Sequence, residues 1–188
     1  MSCIANIRAH INALAADAIF ATRDLVKYGK RNNVDQALFQ LVHSGFILRL
    51  ARGIFIKCGA RIPSTLEVAT YKARSFGKEL VRHGQTLTQI MSDEDSQPEL
   101  LFYIRGRSST FWYGNQQIRL HGTSDRKVRG GESKIGRLIR ALWYTSKTRG
   151  ESALIRKIKQ IPPREIRQLI NQSQWMPAWL SDRLRMSC

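Results

Sequence analysis

The sequence predicts an α+β chain, with an N-terminal winged helix-turn-helix over residues 1–60 and, over residues 61–188, a small antiparallel sheet with a C-terminal helical cluster. Three observations carry this. Helix, strand and turn signals alternate quickly in the first sixty residues. Three runs rich in aromatic and branched residues follow between 100 and 121, and helical stripes fill the chain from Glu132 onward.

Ile4, Ile7, Ile11 and Leu14 recur at helical spacing without Gly or Pro, so residues 3–16 read as an amphipathic helix. Ile19 and Phe20 make a short apolar stretch. Thr22 is placed to cap a two-turn helix, Arg23 to Tyr28, that Gly29 ends. Asn32 or Asn33 is expected to cap a third helix in which Val34, Ala37, Leu38, Leu41 and Val42 form the apolar stripe, stopped by Ser44 and Gly45. Phe46–Leu50 and Ile54–Lys57 are short β-prone runs joined through Arg52 and Gly53, which suits a hairpin, the wing. Ser64 with Glu67 has the form of a capping box opening a helix over 65–76. The domain boundary falls near residue 60.

Beyond it, a short helix is expected at 84–91, then an acidic loop at 92–98. Leu100–Ile104, Thr110–Tyr113 and Gln117–His121 read as strands of an antiparallel sheet, the last two joined by a Gly114-Asn115 turn. Three helical stripes follow: Ile135, Leu138, Ile139, Leu142 and Trp143; then Leu154, Ile155 and Ile158; then Ile166, Leu169 and Ile170 after Pro162 and Pro163.

Charge is the unusual quantity. The chain holds 31 Lys plus Arg against 14 Asp plus Glu, for a formal net charge of +17 and a pI near 10.6, which favours a polyanionic partner, nucleic acid first. No apolar run approaches the roughly 18 residues of a spanning helix, so no membrane is expected. Cys3, Cys58 and Cys188 are far apart with no CxxC pair, which argues against a disulfide framework or zinc site and fits a reducing cytoplasm.

On the third helix, Asn32, Gln36, Gln40 and His43 fall away from the apolar stripe at 100° per residue. Asn and Gln form bidentate bonds to adenine in the major groove. Lys30 and Arg31 lead into this helix and are placed for phosphates, and Asn33 is counted with the DNA-binding residues. Arg49, Arg52 and Lys57 decorate the hairpin, where phosphate or minor-groove contacts are expected, while Arg23 and Lys27 on the preceding helix can meet the backbone. Exposed polar residues on a single helix are usually only solvated. The ordered set of helices and basic hairpin tips the balance to double-stranded DNA. Phe39, on the flank of this face, is expected first to pack under the hairpin, with contact to a thymine methyl or a dimer contact as the alternatives.

The run IFATRDLVKYGKRNNVDQALFQLVHSGFILRLARGIF, residues 19–55, resembles the N-terminal domain of the AbiEi family of type IV antitoxins and its close relatives. IGRLIRALW, Ile135 to Trp143, and MPAWL, Met176 to Leu180, extend the likeness loosely over most of the chain. The resemblance implies a winged helix that represses its own operon, and a C-terminal domain that neutralises a nucleotidyltransferase toxin without a stable complex. It implies as partner the chain's own operator with inverted repeats, with room for an oligomer on the DNA. Relatives often carry Arg where this chain has Gln40, a departure that bears on the operator sequence and not on the docking mode.

The first 60 residues hold eight basic residues against Asp17, Asp24 and Asp35, which leaves 23 basic and 11 acidic residues beyond them. Arg126, Lys127, Arg129, Arg137 and Arg140 are read as a second basic surface that extends the nucleic-acid footprint or meets an acidic partner. Enzyme signals are weak, so no catalytic residue, metal or cofactor is assigned. GESKIG, Gly131 to Gly136, lacks the Gly-Lys-Ser/Thr ending of a phosphate loop. His10, His43, His83 and His121 have no ligand spacing, and Asp93, Glu94 and Asp95 sit in a polar loop. Trp175 and Trp179 read as core or docking residues. Two alternatives stay open: a stand-alone regulator whose C-terminal part dimerises or bends DNA, and a nucleic-acid-processing enzyme targeted by its winged helix.

Overall fold

The computed structural model describes residues 2–91 and 101–187, and the chain folds into two compact units, residues 1–77 with 111–118, and 78–110 with 119–188. Asp93, Glu94 and Asp95, with Leu100 and Cys188, lie outside the described residues.

In the first unit α1 (Cys3–Ala13) buries Ile7 and Ile11 completely, and Ser2 caps it by accepting the Ala5 N–H. β1 (Phe20–Ala21) leads into α2 (Thr22–Leu25), which tightens into a 3₁₀ turn over Val26–Tyr28. Thr22 does not cap α2. It is buried inside the helix, Ala21 takes the cap position, and the Asp24 carboxylate accepts the Ala21 N–H at 2.8 Å. α3 (Arg31–His43) buries Val34, Ala37, Leu38 and Leu41 as the stripe requires. Asn32 and Asn33 lie within its first turn, and Lys30 stands at the cap without a side-chain hydrogen bond, because the helix begins two residues earlier than an Asn32 cap needs.

β2 (Ile47–Ala51) and β3 (Ile54–Lys57) form an antiparallel hairpin, and β1 completes a three-stranded sheet of order β1-β3-β2. The register shifts between Arg49 and Ala51, so Leu50 is the extra residue of a bulge. Two-residue alternation is lost there. Leu48 and Arg49 are both exposed, and Leu50 and Ala51 are both buried. α4 (Thr65–Arg74) opens with the reciprocal Ser64–Glu67 capping box and buries Val68, Ala69 and Ala73. The boundary read near residue 60 falls between β3 and α4, whereas the compact unit runs to Gly77 and includes α4. Arg23 donates to the Ser75 carbonyl and Lys72 to the Arg52 carbonyl, tying α4 to α2 and the hairpin. Tyr113 belongs to this unit, donating its hydroxyl to the Pro63 carbonyl, while its neighbour Trp112 is 61% exposed.

The second sheet has order β4-β5-β7-β6, from β4 (Leu80–Arg82), β5 (Leu101–Arg105), β6 (Ser109–Tyr113) and β7 (Gln116–Thr123). The expected antiparallel sheet is therefore mixed. β5 runs parallel to β7, with Leu101 opposite Arg119 and Arg105 opposite Thr123. The connection after β5 passes the end of β7 at Gly122, where an added Cβ would come within 2.1 Å of the Gly106 carbonyl oxygen. Only glycine fits there. This passage lets β7 insert between β5 and β6.

α5 (Gly84–Met91) crosses α7 (Lys134–Lys159) closely, because Gly84 has no Cβ; one added there would come within 2.5 Å of both the Arg140 carbonyl oxygen and the Tyr144 Cβ. α6 (Asp125–Val128) precedes α7, which Ser133 caps and which bends at Gly150, where φ is 78°. α8 (Pro163–Asn171) and α9 (Ala178–Arg185) complete the cluster. Leu138, Ile139, Leu142, Leu154, Ile158, Ile166, Leu169, Met176 and Leu180 share one core with the half-buried Trp143 and Trp175. Ile135 to Trp143 and Met176 to Leu180, the runs that carry the C-terminal resemblance, thus pack together. Trp179 is 42% exposed and is not a core residue. Gly131 and Glu132 of GESKIG lie in the turn before α7, as a loop into a helix.

Candidate functional site

Two adjoining arcs of α3 face solvent. Asn32, Gln36, Gln40 and His43 are exposed on one, opposite the buried stripe, with Asn33 exposed at its edge. The other carries Arg31, Asp35 and Phe39, turned toward the hairpin. Arg31 and Asp35 form an ion pair at 2.9 Å across one helical turn, and both remain exposed. Phe39 does not pack under the hairpin. It is 71% exposed, with its ring parallel to that of His43 at 6.3 Å.

Arg49 and Arg52 stand exposed on the hairpin, and among the described residues neither has a carboxylate partner. Lys57, expected beside them, is engaged elsewhere. Its ammonium donates to the Asn12 carbonyl at 3.1 Å and the Leu14 carbonyl at 2.6 Å, holding the C-terminal end of α1. A cation favours that position, where unpaired carbonyls concentrate negative charge. Lys27 and Lys30 are exposed, Lys27 lying 5.1 Å from the Tyr28 ring centroid, and Arg23 is held by the Ser75 carbonyl.

Between α3, the hairpin and the end of α4 lies a cavity of about 770 Å³ within the first unit. Arg23, Arg31, Arg49, Arg52 and Lys72 supply its cations, and Asp35 is the acid among its lining residues. Burial, and then the nearby Arg52 and Arg49, push the Lys72 ammonium below its ordinary range. Lys72 and Phe76 were not among the residues singled out from sequence. The signal lay in α4, where Lys72 follows the buried Ala69 by three positions and so sits beside the face that packs.

The expected second basic surface divides. Arg126 and Arg129 are exposed and line a shallow depression with Asp125 and Gln174, and Arg137 is half-buried. Lys127 is half-buried, 4.8 Å from the Tyr103 ring centroid and 5.1 Å from that of Trp143. Arg140 is not on a surface at all. It is 2% exposed and donates to the Arg82 carbonyl at 3.0 Å, the Gly131 carbonyl at 2.8 Å and the Glu132 carboxylate at 3.0 Å. Its position faces the short α5–α7 crossing, so the guanidinium completes the interior. Burial draws its pKa down to about 10 against the opposing pull of Glu132.

The His83 ring lies tilted to those of Tyr103 and His121 and edge-on to that of Tyr144, with ring centroids at 4.2, 5.6 and 5.5 Å. Among the described residues no three His, Cys, Asp or Glu side chains are grouped to hold a metal ion, and no helix is long and apolar enough to cross a membrane. A model of a family of unknown function (DUF6088) matches residues 6–170. No curated protein matches the chain.

Proposed function

The chain belongs to this DUF6088 family, and for this member we propose sequence-specific binding of double-stranded DNA through an N-terminal winged helix-turn-helix. One observation carries the proposal. The polar arc Asn32, Gln36, Gln40 and His43 on α3 lies open beside a hairpin whose Arg49 and Arg52 have no carboxylate partner among the described residues. Amide side chains read base edges, and unpaired guanidinium groups meet phosphates or a narrow minor groove. Lys30, Arg31, Asn33, Arg23 and Lys27 flank this face, whereas Lys57 serves the fold.

The role proposed is repression of the chain's own operon, on an operator with inverted repeats. The second unit acts as the antitoxin part against a nucleotidyltransferase toxin, without catalysis of its own. The resemblance of residues 19–55 to AbiEi-type antitoxins supports that role.

A gel-shift titration against DNA upstream of the gene tests the binding. Arg52→Ala is expected to weaken specific and random duplexes alike, and Gln36→Ala to cost about 1–3 kcal/mol at one base position. Equal loss on every sequence with Gln36→Ala would remove Gln36 as a base reader. Rescue of cells from a neighbouring nucleotidyltransferase tests the antitoxin role, which fails if the full chain gives no protection.

A further inference from the structure

The cavity beside α3 combines two chemistries that a DNA-binding surface does not require together. Its volume of about 770 Å³ is that of a small-molecule site, conventionally about 300–1,000 Å³. Its lining includes the buried core side chains Leu38, Ile54 and Phe55. Val26, Phe39 and Phe76, 45%, 71% and 64% exposed, stand on the same lining and supply apolar surface open to a ligand.

The charge in the same lining is crowded. Arg49 and Arg52 lack carboxylate partners among the described residues, and Lys72 donates to the Arg52 carbonyl at 3.1 Å beside them. Asp35, the acid in the lining, is already paired with Arg31. Desolvation and the two arginines disfavour the charged form of Lys72, so a multiply charged anion beside these cations relieves repulsion that the fold leaves standing. A monocarboxylate answers only part of three cations. A phosphate chain matches guanidinium geometry, and a planar ring matches the phenylalanines.

We propose that this cavity binds a nucleoside phosphate, with its phosphates on Arg49, Arg52 and Lys72 and its base against Phe39 and Phe76. The inference goes beyond DNA binding and does not depend on it.

Isothermal titration of the full chain with ATP, adenosine and inorganic pyrophosphate, without DNA or added metal at about 150 mM salt, tests it. ATP is expected to bind with a dissociation constant below about 100 μM, at least tenfold tighter than pyrophosphate, with no heat from adenosine. Arg52→Gln and Phe39→Ser are each expected to weaken ATP at least about tenfold, by loss of a charge-assisted bond or of ring contact. Arg164→Gln removes the same charge from an exposed position on α8 outside the cavity, and stays within about twofold of the parent chain. Residues 39 and 52 are exposed, so both variants keep the fold, which their melting curves verify. ATP binding no tighter than pyrophosphate, insensitive to either cavity variant, or absent at about 1 mM overturns the proposal. Because no DNA is present, that failure leaves the DNA proposal standing, and a failed gel shift leaves this one standing.

Discussion

The hairpin of the first unit and α7 of the second both carry arginines, and the two sets are put to different use. Arg52 stands exposed on a two-residue turn with no carboxylate partner among the described residues, whereas Arg140 is 2% exposed and surrounded by two carbonyls and Glu132. Arg82 shares the same carboxylate, its Nη1 at 3.3 Å and its backbone N–H at 2.7 Å from Glu132. A cation with no internal partner is available to a ligand. One whose hydrogen bonds are satisfied inside the fold is not, and removing it disrupts the protein before it affects any partner. Net charge counts both alike.

The largest effect should come from the buried member. Arg140→Ala leaves Glu132 and two carbonyls with lost partners and is expected to destabilise the chain by about 3 kcal/mol in urea unfolding. A loss below about 1 kcal/mol would break the comparison, since Arg140 would then behave as a surface residue. Lys57→Met should cost about 1 kcal/mol through the carbonyls at the end of α1, and leave the salt dependence of DNA binding unchanged. A shallower salt slope in that variant would return Lys57 to the interface. Arg52→Ala is expected to do the reverse, changing stability by less than about 0.5 kcal/mol and lowering the salt slope by about one.

A pH dependence is also expected in the second unit. Burial, with His121 and Lys127 nearby, holds the His83 imidazole down to about 4 from its ordinary 6.5. Between those values the unfolded chain takes up a proton that the folded chain does not. Stability is therefore full above pH 6.5 and declines as pH falls toward 4. Thermal melts of His83→Asn should lose this slope, and an unchanged slope would assign it to other groups.

What was legible in the sequence was whatever repeats along one element. The Ile7–Ile11 face of α1, the Val34–Leu41 stripe and the Ser64–Glu67 capping box are local patterns, and each is found where its spacing places it. β4 is three residues long, too short to show an alternation, and the parallel pairing of β5 with β7 depends on a chain passage at Gly122 that no periodicity encodes. The candidate site divides in the same way. Helical spacing separates Gln36 and Gln40 from the core, but the use of Lys57 is set by carbonyls 43 and 45 residues away, and that of Arg140 by a carbonyl 58 residues away. Lys72 and Phe76 join the cavity only through the fold of α4 onto the hairpin.

The four tryptophans are divided unevenly between the units, and this gives the protein a built-in optical label. Trp143 and Trp175, half-buried, and Trp179 all belong to the second unit, while the first has only Trp112, already 61% exposed. Intrinsic fluorescence during denaturation thus reports chiefly on the helical core around α7. Circular dichroism reads the helices of both units, so separate unfolding of the two would appear directly as a gap between the two curves.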